Sequence, residues 1–340
     1  MLFTKENYKL VFDGFIIKDC AIRSDNRQMY LLVEDNDEKA RDGYDPQYRF
    51  VFTFNEREDT DQRLYCVGRK DMDFPTIAYN KSGNETLGLD IMAKIYSHSA
   101  GEREESDLPV SLLDQGSNKG VIYQNLKMVG ESLYAVGYPH RLLKRIAFNE
   151  WEDLSDSSIP LPPHYFEGYR LPAGGRYEQP GWCDIAGFSE QDIYLVGGKG
   201  SIWQYDGNKF KQCDFPSNEI IRNVCCAEDG YVYIGGRLGR LWKGREDKWE
   251  LISSTEFSVF WNDIVSFDNR LFLSSDYGLW EFKDNKIIPA QVPSDVILCS
   301  GTLSICPENK YLLTAGNNGA SMYDGKEWKV LFSSWEYSRL

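Results

Sequence analysis

The chain has 340 residues, 42% of them hydrophobic and 14% aromatic, which is enough for a substantial core rich in flat side chains suited to strands. Its formal net charge is −14, which argues against nucleic acid or an anionic membrane as partner, since both need a basic footprint. No run approaches about 18 apolar residues, so no spanning helix is expected. The start, Met1 to Asn7, lacks the apolar core and cleavage site of a secretory signal, so a cytoplasmic protein is expected.

In chain order, Asn7 to Phe12 resembles the later stretch Glu327 to Phe332 and reads as a strand. It is expected to help close a ring by pairing N- and C-terminal segments, because an open ring would expose hydrogen-bonding edges. Lys18 to Arg23, Met29 to Val33, Tyr48 to Phe54 and Arg63 to Val67 then make a first four-strand unit (13–67), and a looser one follows at 68–115. A third unit (120–156) holds Asn125 to Val129, Leu133 to Gly137, Leu142 to Ile146 and Trp151 to Leu154.

The second half is far more regular, with units at 182–215, 220–253, 257–293 and 298–335. Ile193 to Gly197, Val232 to Gly236, Leu271 to Ser275 and Tyr311 to Ala315 echo one another at spacings of 39, 39 and 40 residues. Each is followed by a glycine turn and another apolar strand, as in Gly200 to Trp203, Gly239 to Trp242 and Gly278 to Trp280. Asp206-Gly207 and Asp324-Gly325 mark equivalent hairpin turns. A period of about 40 residues with four short strands per unit means the blades of an all-β propeller. The expectation is one domain over residues 1–340 with seven blades of four antiparallel strands, six or eight being the alternatives.

The phrase from Asp192 to Gly207 resembles the bacterial β-propeller repeats of the WD40/YVTN/BNR-like, two-component-regulator type. The resemblance covers 182–332 well and the first 120 residues poorly; it implies a fold and no particular activity. The Trp-Asp signature of WD40 repeats is missing. Ser274 to Trp280 comes near the Asp-box of sialidase-type propellers, one residue short before the aromatic, and that box is a structural turn.

Eight cysteines fall mostly in strands and read as reduced, buried thiols, because a chain of this size outside the secretory route has no need of a disulfide framework. The three histidines are not spaced with cysteine or one another for zinc. The acidic run from Asp35 fails as a calcium loop, since Lys39 takes a ligand position and Ala40 replaces the required glycine. Gly197 to Ser201 lacks the Walker spacing and precedes a strand. No Gly-x-Ser-x-Gly elbow occurs. Neither a metal nor another cofactor is expected, and no catalytic residue can be singled out.

Strands alternate direction in a blade, so the turn between second and third strands emerges at the same end as the link to the next blade. Three insertions are expected at that end: 34–47, 98–108 and 155–181. They supply the candidate partner-binding residues Glu34, Asp35, Asp37, Glu38, Asp42 and Tyr44, then Glu102, Glu104 and Glu105. The third adds His164, Tyr165, Phe166, Tyr169, Arg170, Arg176 and Tyr177, residue types that anchor interfaces. That insertion reads either as a binding loop or as a lid over the channel.

The leading functional reading is a non-enzymatic protein-binding propeller, and within it a cytosolic inhibitor or immunity protein that neutralises a basic toxin domain. Two others stay open. A propeller enzyme or carbohydrate-binding protein would use a central pocket with paired carboxylates, and a sensor or scaffold would bind several partners weakly.

Overall fold

A computed structural model describes residues 2–35, 46–99, 101–108, 122–155, 159, 181–253, 259–306 and 308–338. Its strands form seven four-stranded antiparallel sheets, each made of four consecutive strands in meander order. The sheets span residues 15–69, 76–103, 122–153, 184–212, 223–253, 263–289 and 302–333. The fold is a seven-bladed β-propeller.

The 39- and 40-residue echo falls on the second strands, Asp192–Gly197, Val232–Gly235, Arg270–Ser275 and Leu312–Gly316, whose residues are almost all buried. Their apolar runs do not alternate with polar residues because both sheet faces are covered by neighbouring structure. The outer hairpins carry the opposite chemistry. Asp206 accepts the backbone N–H groups of Asn208 (2.8 Å) and Lys209 (2.7 Å), with Gly207 at φ 91°. Asp324 does the same for Lys326 and Glu327, and in both turns these hydrogen bonds hold the carboxyl below its usual range.

The chain divides into two compact units. One comprises Met1–Met72, Phe272–Phe282 and Ile288–Leu340; the other comprises Asp73–Leu271 and Lys283–Ile287. In the first, the terminal unit, the innermost strand Phe15–Ile22 packs on Thr302–Ile305 and Leu312–Gly316 of the last blade. Their shared core includes Ile17, Ile22, Tyr30, Leu32, Val51, Leu313 and Phe332.

Here the structure corrects an expectation. The segment read as a closing strand is a helix, Lys5–Phe12, and both the first and the last blade are complete from their own consecutive strands. Thr4 caps the helix by accepting the Asn7 N–H (3.2 Å), and Glu6 lies in the first turn, where negative charge suits the helix dipole. Val11 and Phe12 are both buried while Leu10 is exposed, a pattern that a strand's strict alternation cannot give. The Phe12 ring lies tilted 46° to that of Phe332 with centres 4.9 Å apart, and Tyr8 lies parallel to Tyr337 at 4.0 Å. Arg49 donates to the carbonyls of Leu10 (2.9 Å) and Val11 (2.6 Å), which the helix end leaves without partners.

In the second, the middle unit, the first strands Thr76–Asn80, Ile122–Val129, Asp184–Ser189, Asn223–Cys226 and Asp263–Phe267 pack in succession. A second correction falls here. Residues 98–108 are not a turn between second and third strands: Ile95–His98 is the third strand and Glu102–Arg103 the outer one. The true turn is 90–94, closed by Asp90 accepting the N–H groups of Met92 (2.9 Å) and Lys94 (2.7 Å).

All eight cysteines are free, six of them buried. Burial pushes the Cys213, Cys225 and Cys299 thiols up to about 12. No described helix is long and apolar enough to cross a membrane.

Candidate functional site

Five of the sequence-derived candidates lie among the described residues. Glu34 ends its strand half-buried, exchanging hydrogen bonds with the backbone of Gln47 at 2.9 and 3.4 Å. Asp35 beside it is exposed, its N–H donating to Gly14 (2.9 Å). Asp37, Glu38, Asp42 and Tyr44 lie outside the described residues, as do His164, Tyr165, Phe166, Tyr169, Arg170, Arg176 and Tyr177. Glu102, opposite His98 in the ladder, and Glu104 are exposed.

Glu105 is corrected as a partner-facing group, because its carboxylate is buried in the fold. It takes two hydrogen bonds of 2.7 Å from Arg145. The other edge of the same guanidinium meets Glu85 at 3.0 and 3.1 Å. Asn80 (2.8 Å) and Arg103 also donate to Glu85. Burial alone would raise the Glu85 carboxyl, but the hydrogen bonds from Arg145, Asn80 and Arg103 outweigh it and hold the group below the ordinary range. This planar, two-sided recognition needs arginine; a lysine could not make it.

A second buried charge lies on the innermost strands. Asp184, 1% exposed, accepts from Asn125 Nδ2 (2.9 Å), from Lys127 Nζ (2.7 Å) and from the backbone N–H of Val224 (2.9 Å). Three consecutive blades are thereby stapled through one carboxylate. Burial opposes the charge on Lys127, yet Asp184 and Asp263 hold its pKa above the ordinary lysine value. A carboxylate so fully engaged serves as an acceptor within the fold. Among the described residues, no three of His, Cys, Asp and Glu converge to hold a metal.

The two ends of the middle unit differ in charge. At the end bearing the 1–2 and 3–4 turns, the fourth and fifth blades present Glu190, Asp206, Glu228, Asp229, Glu246 and Asp247. Several are engaged locally: Glu190 with Lys144 (2.7 Å), Asp229 with Lys243 (3.1 Å) and Asp247 with Lys211 (2.6 Å). At the other end, where the 2–3 turns and blade links emerge, the same two blades carry Lys199, Arg222, Arg237 and Arg240, with Glu219 among them. Acidic loops were the sequence expectation for this end, and over these blades the described residues are mainly cationic. Phe74, Met92, Leu238 and Phe260 are large apolar residues exposed at this end.

No family model matches the chain. The chain is similar to the immune protein Tsi7 of Pseudomonas aeruginosa, 29% identical over 220 residues that cover 62% of this chain and 66% of that protein. The match thus spans slightly under two thirds of the relative's length. Among solved structures it is similar to the WD40 propeller domain of Doa1, with a TM-score of 0.55, 10% identity and coverage of 90% of this chain and 91% of that one. U3-55K gives the same TM-score and identity, covering 90% of each chain. At such identity these structures bear on the fold alone, and that fold is the propeller. The Trp-Asp signature of WD40 repeats is not required to build it.

Proposed function

We propose that this chain is a non-enzymatic, protein-binding propeller acting as an immunity protein: it neutralises a toxin by binding it. The observation that carries this reading is the likeness to Tsi7, a protein described as an immune protein. A rigid scaffold whose turns and links gather at its ends suits the task, because the partner meets preformed loops and little ordering is required on binding. The net charge of −14 supports a basic partner, gathered by long-range attraction, and we place the encounter in the cytoplasm. In this reading Glu34, Asp35, Asp37 and Glu38 contribute to steering, and the aromatic and arginine residues of 155–181 contribute contacts.

Co-purification of the tagged chain from its native lysate, washed at low and at high salt, tests the reading. One basic protein is expected in near-equal amount, held more firmly at low salt. Recovery of no protein in near-equal amount removes the reading. Charge reversal at the four steering carboxylates should slow association at low salt; an unchanged rate would remove the electrostatic part alone.

A further inference from the structure

The 2–3 turn of the fifth blade, residues 236–240, holds an aliphatic side chain in a conformation that favours glycine. Leu238 sits at φ 58°, ψ 34°, and is 49% exposed. Such a backbone is an outlier for a bulky residue, and it persists where the surroundings over-determine it. They do so here. The Gly239 N–H donates to Val259 (2.9 Å), the Gly236 N–H to Arg240 (3.1 Å), and the Arg240 N–H to Arg237 (3.3 Å). Beneath them Trp242 Nε1 donates to Glu219, whose other carboxylate oxygen lies 3.8 Å from Arg240.

The bond to Val259 brings the turn beside the link into the sixth blade. In that link Val259 and Trp261 are buried and Phe260 between them is turned out, 46% exposed. The Arg222 guanidinium lies 5.4 Å from the Phe260 ring centre. The result is two exposed apolar side chains on segments joined by that hydrogen bond, with Arg222, Arg237 and Arg240 in the same segments and the neighbouring link. Lys199 is bridged to Ile220 in the link into the fifth blade, which also carries Arg222. In a chain of net charge −14 this is a local reversal of sign. Exposed apolar anchors ringed by arginine have the composition of an interface centre.

We propose that Leu238 and Phe260 form the anchor by which this chain docks its protein partner, filling an apolar cleft whose rim carries carboxylates that meet Arg222, Arg237 and Arg240. The inference rests on the immunity reading and deepens it. Net charge governs the distant approach of a basic protein, and the arginines govern which part of its surface is gripped.

The test uses the protein captured by the wild-type chain, identified and purified, and measures its affinity for four variants. Leu238→Gly removes the side chain while suiting the backbone, so the variant folds; its Kd should rise about 30-fold, as for an anchor residue. Phe260→Ala should have an effect of similar size. Arg237→Glu should speed dissociation by setting a carboxylate against the rim carboxylates, and Tyr231→Ala, at the other end of the blade, should bind as wild type. Binding of Leu238→Gly and Phe260→Ala within twofold of wild type overturns the proposal. So does a wild-type chain that self-associates through this patch, read by sedimentation and lost in Leu238→Gly. The immunity reading fails at an earlier and separate step, when the wild type itself captures nothing; the anchor then falls with it.

Discussion

Apolar packing joins blades in both units, and in the middle unit buried charge is added to it. In the terminal unit the seam is apolar and aromatic: Phe3, Phe12, Tyr30, Phe332 and Tyr337 pack from both chain ends. In the middle unit, buried charge joins blades, through Arg145 between Glu85 and Glu105 and through Asp184 beside Lys127. An apolar seam is non-directional and tolerates repacking, whereas a buried ion pair fixes a particular geometry and turns unfavourable when half of it is removed. The difference teaches that an apolar seam between similar sheets can stand with or without buried charge beside it, with different points of failure.

The strongest way to sharpen the contrast is Arg145→Ala. It leaves Glu85 and Glu105 buried without their common cation and should lower stability by about 5 kcal/mol, the upper part of the range for broken buried pairs. Urea unfolding followed by hydrogen exchange over residues 76–103 would register it. A loss near the value for surface pairs would mean that water reaches the site and that the contrast is false.

Phe332→Ala should come next, at about 4 kcal/mol, as for large aromatic truncations in a packed core. Its exchange signature should appear in residues 5–35 and 302–333.

Acid provides a third separation. The folded-state pKa of Glu85 is depressed, so its contribution is complete above the unfolded value of about 4.3 and is lost as the pH falls through the folded one. Melting temperature should therefore decline between about pH 5 and pH 3 in the wild type, and less steeply in Arg145→Ala. Parallel declines would detach the acid sensitivity from this network. The smallest expected effect is on the turn: Leu238→Gly should stabilise the fold by up to about 1 kcal/mol by relieving its left-handed backbone.

Much of the scaffold was legible because a propeller writes the same strand four times over at nearly constant spacing. The echo from Ile193 to Ala315 and the Asp-Gly turns depend only on local chemistry, so they can be read in one dimension. The helix Lys5–Phe12 was not, because Tyr8, Leu10 and Phe12 also alternate like a strand. Thr4 was the available clue, a capping residue just before the run. The turn at Asp90 was hidden for a similar reason, since an aspartate's hydrogen bonds to its own loop leave little trace in a pattern of apolar residues.

The candidate site was less legible still. The acidic runs and the aromatic insertion are visible by composition, but composition does not say that Glu105 faces Arg145, 40 residues away. Nor does it say that Leu238 stands out of a strained turn beside Phe260. By itself the sequence determined the repeat, the strand order and the net charge, since each is a sum or a periodicity of local properties. Tertiary structure decided which carboxylates were absorbed by buried partners, how the chain ends were held and which exposed apolar groups stand among arginines. Those outcomes depend on distances between residues far apart in the chain, and they exist only once the blades have packed.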